Sequence, residues 1–474
     1  MTIRLSSLIA AALLAVATSA AAQTDIPVYV VHTPGDNAAL LSRDDGAFTV
    51  TWWLDRDAPV WVLRESALVR ESRTPWRVDA WTVTTPGVVL ERVGRYDVLR
   101  SADGGPVPRE VQVAIRPRSF DLEAAYDPTL VFTDGSVAFY SEQFDMIPVA
   151  DIEAARALPA DISGVPMPVG PMQVTWRDDR GPVLLGGARE ALPSTRAPNT
   201  YVLFGDPGLN ETPRVVTVTD PALPIWIDGE IERFAPRVID FFTARLGPAL
   251  EGRPMIMASW SGPTSGVTSM GGSTLPGLIV MTFEGEGVLR ATDQVTYAAH
   301  WFIGHESAHF WLGQKVAYER PRDAWITEGG ADLMAIRALK ALDPTYDARE
   351  ALQKEVDDCI SLSTGRSVET AETRGEHRAY YACGAVFAMA AEGVTGGDWF
   401  AFLKPLLDAS ADDKVLTRAE WLGALAARPG GPALVTDIET LLDAGAADPR
   451  LVVERLLRGA GVGVRREGGR VVLL

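Results

Sequence analysis

From Ile26 to about Asp220 the apolar residues of this chain fall in short alternating runs set between Gly, Pro and Asp, the pattern of half-buried strands joined by turns. Strands are predicted at FTVTWWL (48 to 54), PVWVL (59 to 63), VDAWTVTT (78 to 85), GVVLERV (87 to 93) and EVQVAI (110 to 115). Others are predicted at MQVTW, TYVLF and RVVTV. LVFT-DG-SVAFY predicts a hairpin in which Asp134 and Gly135 supply the positive φ angles of a type I′ turn. This spacing describes an antiparallel β domain over residues 23–215.

Beyond Pro221 the period lengthens. GEIERFAPRVIDFFTARLG reads as a helix broken or bent at Pro236 and stopped by Gly247, followed by the strand-like MIMASW. LIVMTF (278 to 283) is a short apolar run of the kind a buried strand carries. A helix then begins at Thr292 or Asp293, either able to cap it, and turns Val295, Ala299, Phe302 and Ile303 to the core. A second apolar-periodic segment, with Leu333, Met334, Ile336, Leu339 and Leu342, stops at Asp343-Pro344. Strands followed by this helix pair predict an α+β catalytic domain over 216–400. After the segment around Tyr381 the periodicity of VFAMAAEGV, WFAFLKPLL, AEWLGALAA and ETLLDAG predicts further helices, and 401–474 is expected to be a mainly helical region that ends in a hairpin turning at Gly468-Gly469.

Composition changes this picture at the N-terminus. Arg4, an apolar run from Leu8 to Ala17 and Ala20-Ala21-Ala22 read as a cleavable signal peptide over 1–22, too short to span a bilayer stably. A secreted or periplasmic protein follows. The formal charge of −18 makes nucleic acid an improbable partner and, with the short apolar run, argues against stable membrane insertion. In an exported chain the two cysteines, Cys359 and Cys383, are expected to form a disulfide; two buried free thiols are the alternative.

The candidate chemistry lies in residues 301–334. His305 and His309 stand four apart, so on a helix two imidazoles project from one face toward one tetrahedral metal. Glu306, beside the first, suits a base that takes a proton from a metal-activated water. Glu328 opens the second helix and completes a set of two imidazoles and one carboxylate, which leaves an open position and so favours one catalytic zinc per chain. The chain has five histidines, and His32, His300 and His377 carry no motif. Asp332 shares the helix face of Glu328; it is either the acceptor that orients a ligand histidine or an ordinary acid of a helix first turn.

These residues resemble the gluzincin metallopeptidases of the aminopeptidase N type. That family reads H-E-x-x-H-x-W-x-G-N, then W-L-N-E-G; this chain reads HESAHFWLGQ and WITEGG, with Trp311, Gly313, Trp325, Glu328 and Gly329 matching. The resemblance implies a thermolysin-like catalytic domain behind an N-terminal β domain, and a peptide or protein substrate. The family's Y-x-K-G-A segment corresponds to Tyr381-Ala382-Cys383-Gly384-Ala385, which makes Tyr381 the candidate for stabilising the oxyanion, with Tyr380 as the fallback. Its G-A-M-E-N edge strand corresponds to Gly271-Gly272-Ser273-Thr274, so Gly271, Gly272 and Thr274 are candidate substrate contacts. Thr274 replaces the glutamate that grips a free α-amine, and Glu142-Gln143-Phe144, where the family uses a glutamine, is the candidate segment for another polar group. The resemblance implies an exported zinc metallopeptidase; the alternative is a zinc-containing, non-catalytic protein that binds peptides or envelope partners. Glu306 separates them, since a binding protein needs no general base.

Overall fold

The computed structural model describes residues 36–474 except 124, 161, 163–164, 166–168, 197–198 and 250–251. The expected signal segment and His32 lie outside the described residues. The architecture is α+β: strands fill the N-terminal half, and helices dominate from residue 293 onward.

Three sheets occupy residues 38–204. In the six-stranded sheet the strand Ala47–Trp53 alternates exposed and buried positions, because one face covers a core built from Trp52, Trp81, Phe139, Phe144, Trp176 and Phe204. All its pairings are antiparallel except that of Ala38–Asp44 with Gln173–Asp178. The strand expected over 78–85 is shorter than its sequence suggests: Arg77–Ala80 forms one helical turn and only Trp81–Val83 is extended. The buried guanidinium of Arg77 accounts for the difference. It lies 4.4 and 4.9 Å from the ring centroids of Trp76 and Trp81, 3.1 Å from Asp97, and donates to the Gln143 carbonyl at 2.9 Å. The hairpin at Asp134-Gly135 forms, but only Gly135 takes a positive φ. The Asp134 carboxylate instead accepts from the Ser136 N–H at 2.9 Å, and the turn is not type I′.

A fourth sheet runs, in spatial order, Asn210–Glu211, Val216–Thr219, Met255–Trp260, Leu278–Glu284 and Ser269–Leu275. Its central strands pair in parallel and are covered on both faces, hence their lack of alternation. Met255, Met257, Leu278 and Val280 face the sheet that carries Val137–Tyr140 and Tyr201–Phe204; Ile256, Ala258, Ile279 and Met281 face the helices. This sandwiched sheet ties the β region to the helical region. Ser269–Leu275 is its edge, antiparallel to its neighbour.

Helix α1 (Ile225–Leu246) packs on this sheet; of the break or bend expected at Pro236, the break does not occur, and the helix continues through the proline. Phe234, Ala235, Val238 and Phe242 are buried on both sides of the proline, and their packing outweighs the roughly 3 kcal/mol a helix-interior proline costs. Gly247 ends it with a φ of 77°. Helix α2 (Asp293–Ala308) is capped by the Thr292 side chain, which accepts from the Val295 N–H. Helices α3 (Trp325–Leu342), α4 (Ala348–Leu362) and α5 (Arg378–Val394) follow, and Cys359 of α4 is joined to Cys383 of α5 by a disulfide of 2.04 Å. Four shorter helices lie beyond them: Trp399–Ala409, Arg418–Ala426, Gly431–Glu439 and Pro449–Gly459. The closing hairpin turns at Gly468 and Gly469, both at positive φ. One apolar core runs from Val215 to Leu473.

Candidate metal centre

Helices α2 and α3 meet where a methyl of Ala335 faces Gly304, 3.2 Å from where a Cβ would stand. α3 and α5 cross closer still. A Cβ on Gly329 would lie 2.1 Å from the carbonyl carbon of Gly384, and one on Gly384 would lie 2.2 Å from the Trp325 oxygen. Only glycine permits that backbone contact. The crossing sets Glu328, next to Gly329, beside Tyr381, one helical turn before Gly384.

His305 Nε2 and His309 Nε2 are 3.0 Å apart, and each lies 3.5 and 3.4 Å respectively from Glu328 Oε2. Three atoms held by one tetrahedral zinc at its usual bond lengths are about 3.3 Å apart, so the donor set fits that ion. The other ring nitrogen of each histidine lies within 3 Å of an acceptor. His305 Nδ1 lies 2.9 Å from Asp332 Oδ1, and His309 Nδ1 donates to the Leu312 carbonyl at 2.8 Å. Both acceptors require a proton on Nδ1, which turns the Nε2 lone pairs inward. Glu328 Oε2 is buried and has no hydrogen-bond donor, as expected of an oxygen directed at a cation.

The electrostatics agree. Burial opposes a charge on His305, yet Asp332 and Glu328 outweigh it and hold the imidazole well above its ordinary pKa. His309 rises likewise, against burial, through Glu328. Burial opposes the Glu328 charge too, but His309 and His305 hold the carboxylate far below its usual range. The site therefore favours a positive charge among these three side chains.

Glu306 is buried. The Thr274 hydroxyl, reaching from the edge strand, lies 2.8 Å from the Glu306 carbonyl and 3.0 Å from its Oε2. Thr274 is thus engaged with the candidate base. Gly271 and Gly272 lie on the same strand, where a Cβ on Gly272 would come within 2.6 Å of Phe302, so a packing requirement explains this glycine. Tyr381 stacks on His305 at 5.5 Å; burial, then Glu328 and Glu306, push its phenol up, and it keeps its proton. The Tyr380 hydroxyl instead accepts from the Glu372 N–H and donates to the Glu369 carbonyl. Gln143 Nε2 donates to the Pro128 carbonyl at 2.8 Å, and Phe144 is in the β core. Of that segment Glu142 remains partly exposed, accepting from Tyr140 at 3.0 Å. His300 pairs with Glu230 at 2.8 Å, and His377 sits at the start of α5.

Two participants escape a reading of the sequence. The Leu312 carbonyl is backbone and leaves no residue-type signal. Arg378 of α5 lies 3.4 Å from Asp332.

No family model matches the chain, and no curated protein matches it. Solved structures do. The chain resembles native leukotriene A4 hydrolase from Saccharomyces cerevisiae at 16% identity, with a TM-score of 0.50 over 89% of this chain and 69% of that one. A second structure of the yeast enzyme gives 15% and 0.52 over the same shares. An M1 zinc metallopeptidase from Deinococcus radiodurans gives 14% and 0.47 over 88% of this chain and 94% of that one. The likeness to the yeast enzyme is one of fold.

Proposed function

We propose that this chain is an exported zinc metallopeptidase of the aminopeptidase N type that hydrolyses peptide bonds. The observation that carries the reading is the group of His305 Nε2, His309 Nε2 and Glu328 Oε2, 3.0–3.5 Å from one another, with each Nδ1 atom within 3 Å of an acceptor. His305, His309 and Glu328 would hold one zinc, which supplies Lewis acidity and makes a water acidic near neutral pH. Glu306 would take a proton from the water that attacks the carbonyl carbon and return it to the leaving nitrogen. Tyr381, kept protonated by its surroundings, donates to the oxygen on which negative charge develops. Asp332 and Leu312 hold the two imidazoles in the tautomer this requires.

The residue at the amine-gripping position, Thr274, is uncharged and already bonded to Glu306. The reading therefore favours peptides held by contacts along their length over simple aminoacyl compounds, with Glu142 the acid available from the β region. The division into 23–215, 216–400 and 401–474 and a secreted or periplasmic location belong to the same proposal. Among the described residues no helix is long and apolar enough to cross a membrane.

The test is a comparison of wild type with Glu306→Gln on a peptide library after metal loading. The variant is expected to keep one equivalent of zinc and lose at least about a hundredfold in rate, because the amide cannot accept the proton. A variant that cleaves like wild type would remove Glu306 from the mechanism. A zinc-loaded wild type that cleaves nothing would make the protein a binding module.

A further inference from the structure

Asp332 is fully buried, and its two oxygens face different partners: Oδ1 lies 2.9 Å from His305 Nδ1 and Oδ2 accepts from Arg378 Nη1 at 3.4 Å. A buried carboxylate needs a compensating positive group, and among the described residues Arg378 is the one arginine or lysine paired with it. Arg378 is itself held on its other sides. Nη2 donates to both oxygens of Glu355 at 2.6 Å, and Nε donates to Asp358 at 3.0 Å. Its placement is not explained by its own helix. Arg378 is the first residue of α5, where the helix dipole disfavours a cation, so the three carboxylates must hold it there. The chain of contacts runs His305 (α2), Asp332 (α3), Arg378 (α5), then Glu355 and Asp358 (α4).

We propose that Arg378 is a positioning residue for the metal centre, acting through Asp332 to keep His305 Nε2 directed at the ion, with Glu355 and Asp358 fixing the guanidinium. The planar fork matters as well as the charge: three nitrogens spread across it each meet a different carboxylate, whereas the donors of a lysine ammonium radiate from one point and cannot span the same three positions. The proposal rests on the zinc reading above, and concerns metal affinity, so it is measurable without any substrate.

The experiment is a zinc competition titration against a chromophoric chelator on wild type, Arg378→Met, Arg378→Lys, Asp332→Asn and the Arg378→Met/Asp332→Asn double variant. Thermal unfolding of each metal-free protein is recorded beside it. Residues that orient a metal ligand change affinity by about 10- to 100-fold when replaced. Arg378→Met is expected to weaken zinc by about tenfold, and Arg378→Lys by less. The double variant should bind within about twofold of Asp332→Asn alone, because both act on one contact. A purely structural arginine would lower the metal-free midpoint and leave zinc affinity where it was. That result in folded Arg378→Met, or losses that multiply in the double variant, would overturn the proposal. Should Arg378→Met not fold, Arg378→Lys decides: wild-type affinity there overturns the role of the fork and with it the proposal. A wild type that binds no zinc would sink the metallopeptidase reading together with this one, whereas normal zinc binding in every variant would sink this one alone.

Discussion

Replacing Thr274 by valine removes one hydroxyl and almost no volume, at a buried site on the edge strand. The hydroxyl faces two acceptors at the end of α2, the Glu306 carbonyl at 2.8 Å and Glu306 Oε2 at 3.0 Å. Carbonyls in the last turn of a helix lack helical donors, so the first contact satisfies an acceptor that burial would otherwise leave unmade. Its loss should lower the unfolding free energy by about 1 kcal/mol, the low end of the cost of a buried unpaired group. The second contact orients the proposed base. A hydrogen bond to a charged group is worth about 1.5–3 kcal/mol, and because one proton is shared between two acceptors the lower value applies, or roughly tenfold in kcat. Thr274→Ser keeps the hydroxyl and should restore most of both losses. The assay is urea unfolding with steady-state kinetics on a peptide that the wild type cleaves. An interaction acting on Glu306 lowers kcat with KM little changed; a raised KM at constant kcat would mean that Thr274 touches substrate instead. A serine variant as slow as the valine one would refute the argument, since the hydroxyl would then be irrelevant.

Tyr381→Phe should keep zinc and lose about 10²–10³ in kcat, the usual consequence of deleting one oxyanion donor; a loss under about tenfold in steady-state assays would remove Tyr381 from that role. Replacing Cys359 and Cys383 together by alanine opens a loop with a sequence separation of 24, and denaturant titration should show about 3 kcal/mol less stability. No loss would mean that strain or unfolded-state structure cancels the constraint. Asp127 has its carboxyl raised by burial from 3.8 to about 7, so between those values the folded protein binds more protons than the unfolded one. Stability contributed by this group is present at low pH and is lost as pH rises through about 7. Asp127→Asn cannot ionise, and its stability at pH 8 relative to pH 5, read from urea midpoints, should exceed that of wild type; an unchanged difference would contradict the shift.

The legible parts of the fold are those in which a local pattern and its tertiary environment agree. FTVTWW alternates because Ala47–Trp53 buries one face, while MIMASW and LIVMTF do not alternate because both of their faces are covered. The misread parts are those in which a distant group decides. VDAWTVTT has strand composition, yet Arg77 and its partner Asp97 draw its start into a helical turn. Pro236 marks a break or a bend by local rules, and the packing of Phe234 and Phe242 overrides the break.

The site divides in the same way. His305, Glu306 and His309 are fixed to one helix by covalent spacing, so their shared surroundings follow from the period of the helix alone. Glu328 needed only a second helix. What orients these groups comes from elsewhere in sequence: Thr274 is 32 residues from Glu306, and Arg378 is 46 from Asp332. A threonine or an arginine in isolation signals nothing, because its role exists only once two elements touch. The glycines of the motif lie between these cases. WITEGG and YACGA present Gly329 and Gly384 as pattern residues without a reason, and the crossing of α3 and α5 supplies one, since any Cβ at either position would push the helices apart. Glu328 and Tyr381 would move with them. The residues proposed to carry the chemistry and the glycines beside them are therefore parts of one requirement, that a carboxylate and a phenol on different helices reach the imidazole of His305.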